Sequence, residues 1–336
     1  MKFFCICLSP AIDATVRMDA WPTVGCIIKN AADTFAPGGK TVNVARWLAK
    51  RSRAAASART VADAQREPQH HHVACGGLLG EDNAVMFEKE LAKYGIEDRF
   101  VRVPGATRVN EMFVTPEGSF KVNRPAFPGV GADVLGGPQS FFNEDSFCGD
   151  CGARGTARPT VVILSGSLPA NFPVDYYRHL AEAAKKAGAK VVLDASGKAL
   201  VEGVKAHPDV IKPNAEECEP LIGFVPKAPE DFKEATAALK AFCDYPIISD
   251  GGAGCWFDGE FVPAPKVEVL DTTAAGDTLL AEWCWQTYGH PSQSNNQTIK
   301  QSNNSSWAVA AGSAACTMPG GTPPPLELVE KLAEGV

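Results

Sequence analysis

The sequence predicts an α/β fold: a mostly parallel central sheet covered by helices on both faces, with a small β-sheet lid. Two observations carry this. Apolar runs of strand length alternate with segments of helical period, and one run, Val161–Leu164, is continuously apolar, as a strand buried on both faces must be. The chain has 336 residues, 45% hydrophobic and 21% charged, ample for a large core, so disorder as the overall state is excluded.

The elements follow in order. Phe3–Leu8 reads as a buried first strand; Ser9-Pro10 ends the run and Asp13 follows, so it is too short for a signal peptide. Lys40–Lys50 has helical apolar spacing through Val42, Ala45 and Leu48-Ala49. Val73–Cys75 is a short strand, and Asn83–Tyr94 a helix with Val85, Phe87 and Leu91 on one face, stopped by Gly95. Val174–Lys186 is predicted helical, Lys190–Leu193 and Val210–Ile211 as strands, Phe232–Phe242 as a helix and Pro246–Ser249 as a strand. Two stretches break the alternation. Ala14–Phe35 and Thr107–Arg124 alternate polar and apolar residues like short strands and predict a separate small sheet, the lid (strands within 14–36 and 107–125). Surface insertions are expected at 52–69, 136–159 and 291–304, the last one mobile. His70-His71-His72 cannot all face one ion from a strand and reads as a solvated loop.

Composition removes several classes. A net charge of -7, from 32 basic and 39 acidic residues, does not fit a general nucleic-acid binder, though a local Arg/Lys cluster still suits an anionic small substrate. No run of about 18 apolar residues exists, so no membrane span is expected. Eleven irregularly spaced cysteines read as reduced thiols of a cytoplasmic protein, and Cys148-Gly149-Asp150-Cys151 lacks partners for a metal or redox site.

Two motifs carry chemistry. Gly39-Lys40-Thr41 mimics the end of a P-loop, but Thr34 stands where that motif needs glycine, so the reading is rejected. What remains is a Gly38-Gly39 turn opening a helix, which either admits a ligand to the backbone or is a helix entry without one. Further on, Asp271-Thr272-Thr273-Ala274-Ala275-Gly276-Asp277-Thr278 opens an apolar helix. Its small residues expose amides to a developing negative charge, and Asp277 either takes a proton from a hydroxyl or only stabilises the helix dipole.

Together these motifs resemble the PfkB (ribokinase-like) carbohydrate kinases, in the branch that phosphorylates sugar phosphates. Ser9-Pro10-Ala11-Ile12-Asp13, Gly38-Gly39-Lys40 with Asn43-Val44-Ala45-Arg46, and Gly76-Gly77 with Gly80 and Asp82 occur in the family's order. So do Thr107-Arg108 with Asn110, Ser165–Pro169, Asp194 with Ser196, Lys212-Pro213-Asn214 with Glu217, and Asp271–Asp277. The resemblance spans about residues 3–330 outside the insertions and implies a single ribokinase-like domain, 1–336. It implies an ATP-dependent kinase of a ketohexose phosphate such as fructose 1-phosphate, fructose 6-phosphate or tagatose 6-phosphate. Asp277 would be the general base, with the amides of Ala274, Ala275 and Gly276 around the transferring group. Asp13, Gly38, Gly39, Lys40, Asn43, Arg108 and Asn110 would bind the sugar phosphate. Asn214 and Glu217, at i and i+3, would reach the water shell of Mg²⁺, and Ser249, Gly251 and Gly254 would lie along ATP. Arg108 is the main candidate for the phosphate, with Lys40, Lys29 and Arg124 beside it. A monovalent cation such as K⁺ and a homodimer through the lid complete what the family implies.

There are departures. Thr41 replaces a glycine of the usual signature and is expected to crowd the pocket, Ala274 replaces another without consequence, and Cys26 stands where a basic residue is common. Two alternatives stay open: a kinase of an unphosphorylated sugar or nucleoside, and a sugar-sensing protein of the same fold. An oxidoreductase is disfavoured, since no Gly-x-Gly-x-x-Gly follows the first strand.

Overall fold

The computed structural model describes residues 2–25, 27, 32–57, 71–142, 160–289 and 301–336. Strand β1 (Lys2–Cys7) leads into β2 (Ala11–Arg17) and β3 (Ala32–Gly38), and helix α1 (Lys40–Ser57) returns the chain to β4 (His72–Gly80). After α2 (Ala84–Tyr94) come β5 (Glu97–Val103), β6 (Val109–Thr115) and β7 (Gly118–Val122). The alternation resumes with β8 (Val161–Ser165), α3 (Tyr176–Lys186), β9 (Lys190–Asp194), α4 (Gly197–Gly203), β10 (Val210–Ile211), α5 (Ala215–Ile222), α6 (Pro229–Leu239) and β11 (Tyr245–Asp250). A hairpin of β12 (Gly254–Phe257) and β13 (Glu260–Pro263) precedes α7 (Ala275–Tyr288), α8 (Gln301–Ala315) and α9 (Leu326–Ala333).

The large sheet has nine strands in the order β13-β12-β11-β10-β9-β8-β1-β4-β5, parallel except for the hairpin at one edge. Successive side chains of a strand point to opposite faces. Phe3, Cys5 and Cys7 therefore enter the core under α1, α7 and α8, while Phe4, Ile6 and Leu8 enter the core under α3 and α6. Both faces are covered, which is why β8 is buried along its whole length. The second sheet has four strands, β3-β2-β6-β7, and is entered from the C-terminal ends of β1 and β5. In it β2 and β6 pair parallel, with Asp13 opposite Asn110.

Several elements differ from expectation. Helix α1 runs on to Ser57, into the first tract read as a surface insertion, and α8 begins at Gln301 inside the tract expected to be mobile. Strand β5 was hidden by its charges: as an edge strand it keeps Arg102 on Asp98 (2.5 Å) and Glu88 (2.8 Å) at the rim. The β12–β13 hairpin turns on Asp258 (φ 50°) and Gly259 (φ 91°), an Asp-Gly pair whose left-handed backbone matches the strand twist. Cys26, Lys29, His70, Cys148, Cys151 and residues 58–69, 143–159 and 291–300 lie outside the described residues. No helix among the described residues is long and apolar enough to cross a membrane.

Candidate active site

The C-terminal edge of a parallel sheet is where loops can collect polar groups over a rigid floor. Here β1 ends at Cys7, the chain passes through Ser9-Pro10 into the small sheet, and it returns at Gly38-Gly39 to start α1. Gly39 takes φ 109° and lies close on Cys7 and Pro10, and a Cβ on Gly38 would collide with the Asp13 carboxylate. This turn therefore needs both glycines. Asp13 is hydrogen-bonded to Asn110 on the neighbouring strand, and burial pushes its carboxyl above the ordinary range against the pull of Asn110, Arg46 and Lys121. A cavity of about 210 Å³ opens in front of them, bounded by Asp13, Thr15, Asn110, Lys121, Asp271 and Thr273. Lys121 spans it from β7, donating to Thr273 Oγ1 at 2.6 Å, with Asp271 at 4.0 Å.

Beside this cavity, α7 begins. Asp271 shapes its entry: Oδ1 accepts the amide (2.8 Å) and hydroxyl (2.6 Å) of Thr273, and Oδ2 accepts the Gly320 amide (3.0 Å). Asp277 lies in the first turn, 4% exposed, with Oδ2 accepting from Asn43 Nδ2 at 2.8 Å. Burial pushes its carboxyl up to about 7; Lys40, Asn43 and Lys212 pull the other way, and Asp194 adds to the rise. The ammonium of Lys212 lies 3.5 Å from where a Gly276 Cβ would be, at the exposed amides of the helix start. Lys212 pairs with Asp194 at 3.2 Å, Lys40 pairs with it at 3.3 Å, and Ser165 Oγ donates to it at 2.9 Å. A carboxylate of raised proton affinity, two ammoniums and a helix N-terminus can together accept a hydroxyl proton and stabilise an anionic group in transfer.

Asn214 and Glu217 are placed differently from the spacing argument. Asn214 is the N-cap of α5, not a residue on its face: Oδ1 accepts the Glu217 amide at 2.8 Å, and Glu217 Oε2 accepts the Asn214 amide at 3.0 Å. The capping box leaves Glu217 Oε1 as the carboxylate oxygen for an ion, and the charge of Glu217 is felt at Lys40. Mg²⁺ takes few carboxylates and keeps waters and phosphate oxygens, so this donor set fits it. Among the described residues no group of three or more His, Cys, Asp or Glu could hold a metal on its own. Ser249 bridges Asn214 in parallel pairing, and Gly251 (φ 52°) begins the exposed turn to Gly254, whose backbone packs on Val262 and Pro263.

Other expectations need revision. Thr41 does not crowd the pocket. It sits inside the first turn of α1, fully buried, and its single hydroxyl proton is shared between the carbonyls of Ile6 (3.1 Å) and Ser165 (3.0 Å), tying β1 to β8. Arg108 spends its fork on backbone: Nε to Pro10 O (3.3 Å), and its two terminal nitrogens to Arg124 O (2.7 Å) and Ser9 O (3.2 Å). It clamps the crossover between the sheets. Arg124 pairs with Glu111 at 2.5 Å. Asn43 is buried, its Oδ1 accepting from Arg46 at 3.2 Å, so both ends of its amide are engaged. The amide of Ala275 donates to Thr272 O at 3.3 Å. Residues given no role from sequence are Asp194, Lys212, Ser165 and Lys121. The signal for the first two was present: each charged residue ends a buried strand, where an unpaired charge is not tolerated.

Comparison with known proteins adds to this geometry. The pfkB family carbohydrate kinase pattern matches residues 156–281. The 1-phosphofructokinase of Rhodobacter capsulatus is 33% identical over 286 residues, covering 84% of this chain and 82% of that one. The crystal structure of phosphofructokinase-2 from Escherichia coli in complex with potassium superposes with a TM-score of 0.76 at 18% identity, over 99% of this chain and 98% of that one. Ribokinase from Giardia lamblia does so with a TM-score of 0.70 at 16% identity, over 98% and 99%.

Proposed function

Because the chain belongs to the pfkB family of carbohydrate kinases, with a ribokinase-like fold, we propose that it transfers the γ-phosphoryl group of ATP to a hydroxyl of a ketohexose phosphate. The observation that carries the mechanism is the Asp277 carboxylate, buried at the start of α7 on Asn43 and flanked by Lys40 and Lys212. The sugar lies in the cavity against Asp13 and Asn110, its acceptor hydroxyl toward Asp277. Asp277 takes the hydroxyl proton as the oxygen attacks phosphorus. Lys212 and the amides of Ala274 and Gly276 face the transferring group, in line between acceptor and leaving oxygens; the Ala275 amide, held by Thr272 O, stays with the turn. ATP runs from there past Asn214 toward Ser249, Gly251 and Gly254. Glu217 would hold Mg²⁺ through its open oxygen, and the ion would supply charge neutralisation at the phosphates.

The phosphorylated substrate is supported by the relatives named 1-phosphofructokinase and by Lys121 on the cavity wall. One observation favours an unphosphorylated sugar or nucleoside instead: Asp13 and Asp271 both border the same cavity, and Arg108 is already engaged. An assay of ADP release across fructose 1-phosphate, fructose 6-phosphate, tagatose 6-phosphate and the free sugars decides between them. One charge-assisted contact is worth about tenfold or more in selectivity, so the best phosphate should lead its free sugar by about that factor. Equal kcat/KM values would hand the site to free sugars or nucleosides. Turnover at fixed Mg²⁺ with and without K⁺ tests a potassium activator, a candidate by likeness to the potassium complex.

The chain works as one domain, residues 1–336, with the small sheet as lid. The outer face of that sheet carries exposed Phe35 and Phe120, with Phe120 stacked between Phe113 (4.8 Å) and Trp21 (5.4 Å). A second copy covering this face makes a homodimer through the lid; sedimentation of wild type against Phe35→Glu tests it, a monomer in both cases counting against the idea. Eight described cysteines are free thiols, which suits a cytoplasmic location; localisation of a tagged chain checks it, and an exported chain would contradict it.

A further inference from the structure

Beyond the cavity, α1 and α7 are joined by a second polar contact that no step of phosphoryl transfer uses. Asn43, Trp47 and Arg51 stand at i, i+4 and i+8 and so share one face of α1. Asn43 meets Asp277, while Trp47 Nε1 donates to Glu282 Oε2 at 2.7 Å and Arg51 pairs with the same oxygen at 3.2 Å. Gln286 Nε2 donates to Oε1 at 2.7 Å. Trp47 and Glu282 are both 0% exposed. The guanidinium of Arg51 lies over the rings of Trp285 (5.8 Å) and of Trp307 on α8 (5.3 Å).

Two helices packed on a sheet need no carboxylate between them, and a buried one is costly unless paired. What this one does is fix an offset. The contacts at Asp277 and Glu282 are about 7.5 Å apart along α7 at ~1.5 Å per residue, so together they prevent α7 from sliding or tilting against α1. We propose that Trp47 and Glu282 are positioning residues that hold the Asn43 amide on the Asp277 carboxylate and so keep the base oriented and its charged form favoured. This rests on Asp277 being the base.

The electrostatics agree with the geometry. Donation from Asn43 favours the charged form of Asp277, so loosening it raises the proton affinity further. The other groups facing Asp277 are Lys40 from α1, Asp194 from β9, Lys212 beyond β10 and the Cys7 thiol from β1. Facing Glu282 are Arg51 and Gln286, and α8 presents no charged residue along its length.

The test is a double-mutant cycle read as kcat/KM against pH. Trp47→Phe keeps the ring and removes the donor; Glu282→Leu breaks the same bond from the other side. Each is made alone and with Asp277→Asn, and melting temperatures are recorded. In the wild-type background the acid limb should rise by about half a pH unit: kcat/KM about threefold lower at pH 6 and unchanged at pH 9. With Asp277→Asn neither variant should cost anything further. Glu282→Gln keeps an acceptor for Trp47 and should retain the wild-type limb. The inference is overturned if the limb stays put while only the melting temperature falls, or if the loss is equal in both backgrounds. Near-normal turnover of Asp277→Asn alone would instead remove the base assignment on which it stands.

Discussion

Asp194 and Asp277 are both buried at the C-terminal edge of the sheet, 1% and 4% exposed, yet their proton affinities move in opposite directions. Burial raises both. At Asp194 two ammoniums, from Lys212 and Lys40, and the Ser165 hydroxyl more than reverse that, and the carboxyl is held below its ordinary range. At Asp277 the direct partner is one neutral amide, the lysines act from farther off, Asp194 opposes them, and the group stays near 7. Equal burial thus gives a fixed anion in one place and a proton acceptor in the other. The first anchors two lysines beside the start of α7; the second is poised to exchange a proton near neutral pH.

Removing the acceptor breaks the contrast most directly. Asp277→Asn should keep the fold and lower turnover by ~10²–10⁴. It should also stabilise the protein at pH 8. The folded carboxyl titrates at about 7 against 3.8 when unfolded, so the native state binds more protons across that window and stability falls as pH rises through it. The neutral amide escapes this penalty, and a melting temperature a few degrees higher at pH 8 but not at pH 4 is the check.

Asp194→Asn attacks the other half. Lys40 and Lys212 lose their buried partner, at a cost of about 3–5 kcal/mol in denaturant unfolding. Since the Asp194 charge raises Asp277, its loss should move the acid limb of kcat/KM to lower pH. A limb moving up would show that the two sites do not communicate through charge.

Smaller effects sharpen the surroundings. Glu217→Gln should raise the Mg²⁺ needed for half-maximal turnover about tenfold while leaving the sugar KM alone, since Glu217 caps α5 and does not line the cavity. A changed sugar KM with an unaltered Mg²⁺ titration would contradict the placement. Thr41→Val should cost about 1–3 kcal/mol of stability, from the lost hydroxyl proton shared by the β1 and β8 carbonyls, with no change in sugar KM.

What the sequence made legible was local chemistry. Gly38-Gly39 and Ala274–Asp277 declare a tight turn and an open helix start within a few residues, and the apolar runs of β1 and β8 declare a doubly covered sheet. What it hid depends on distant partners. Arg108 looks like a phosphate ligand until its donors are found on Ser9, Pro10 and Arg124, and Lys121 looks like a solvated charge until β7 is paired with β6 and brought over Thr273. Asn214 and Glu217 share a spacing that fits a helix face and a capping box equally, and only backbone geometry separates the two. The Asp258-Gly259 hairpin is readable from its turn residues.

The sharpest single measurement is kcat/KM against pH, from 5 to 9, for wild type and Asp277→Asn with the best acceptor sugar. It reads the free protein, where Asp277 titrates. Wild type should show an acid limb of unit slope with its midpoint about 7, and Asp277→Asn a flat profile at least ~10²-fold lower. An acid limb that persists unmoved in Asp277→Asn would mean that another group accepts the proton and that the buried aspartate of α7 is not the base.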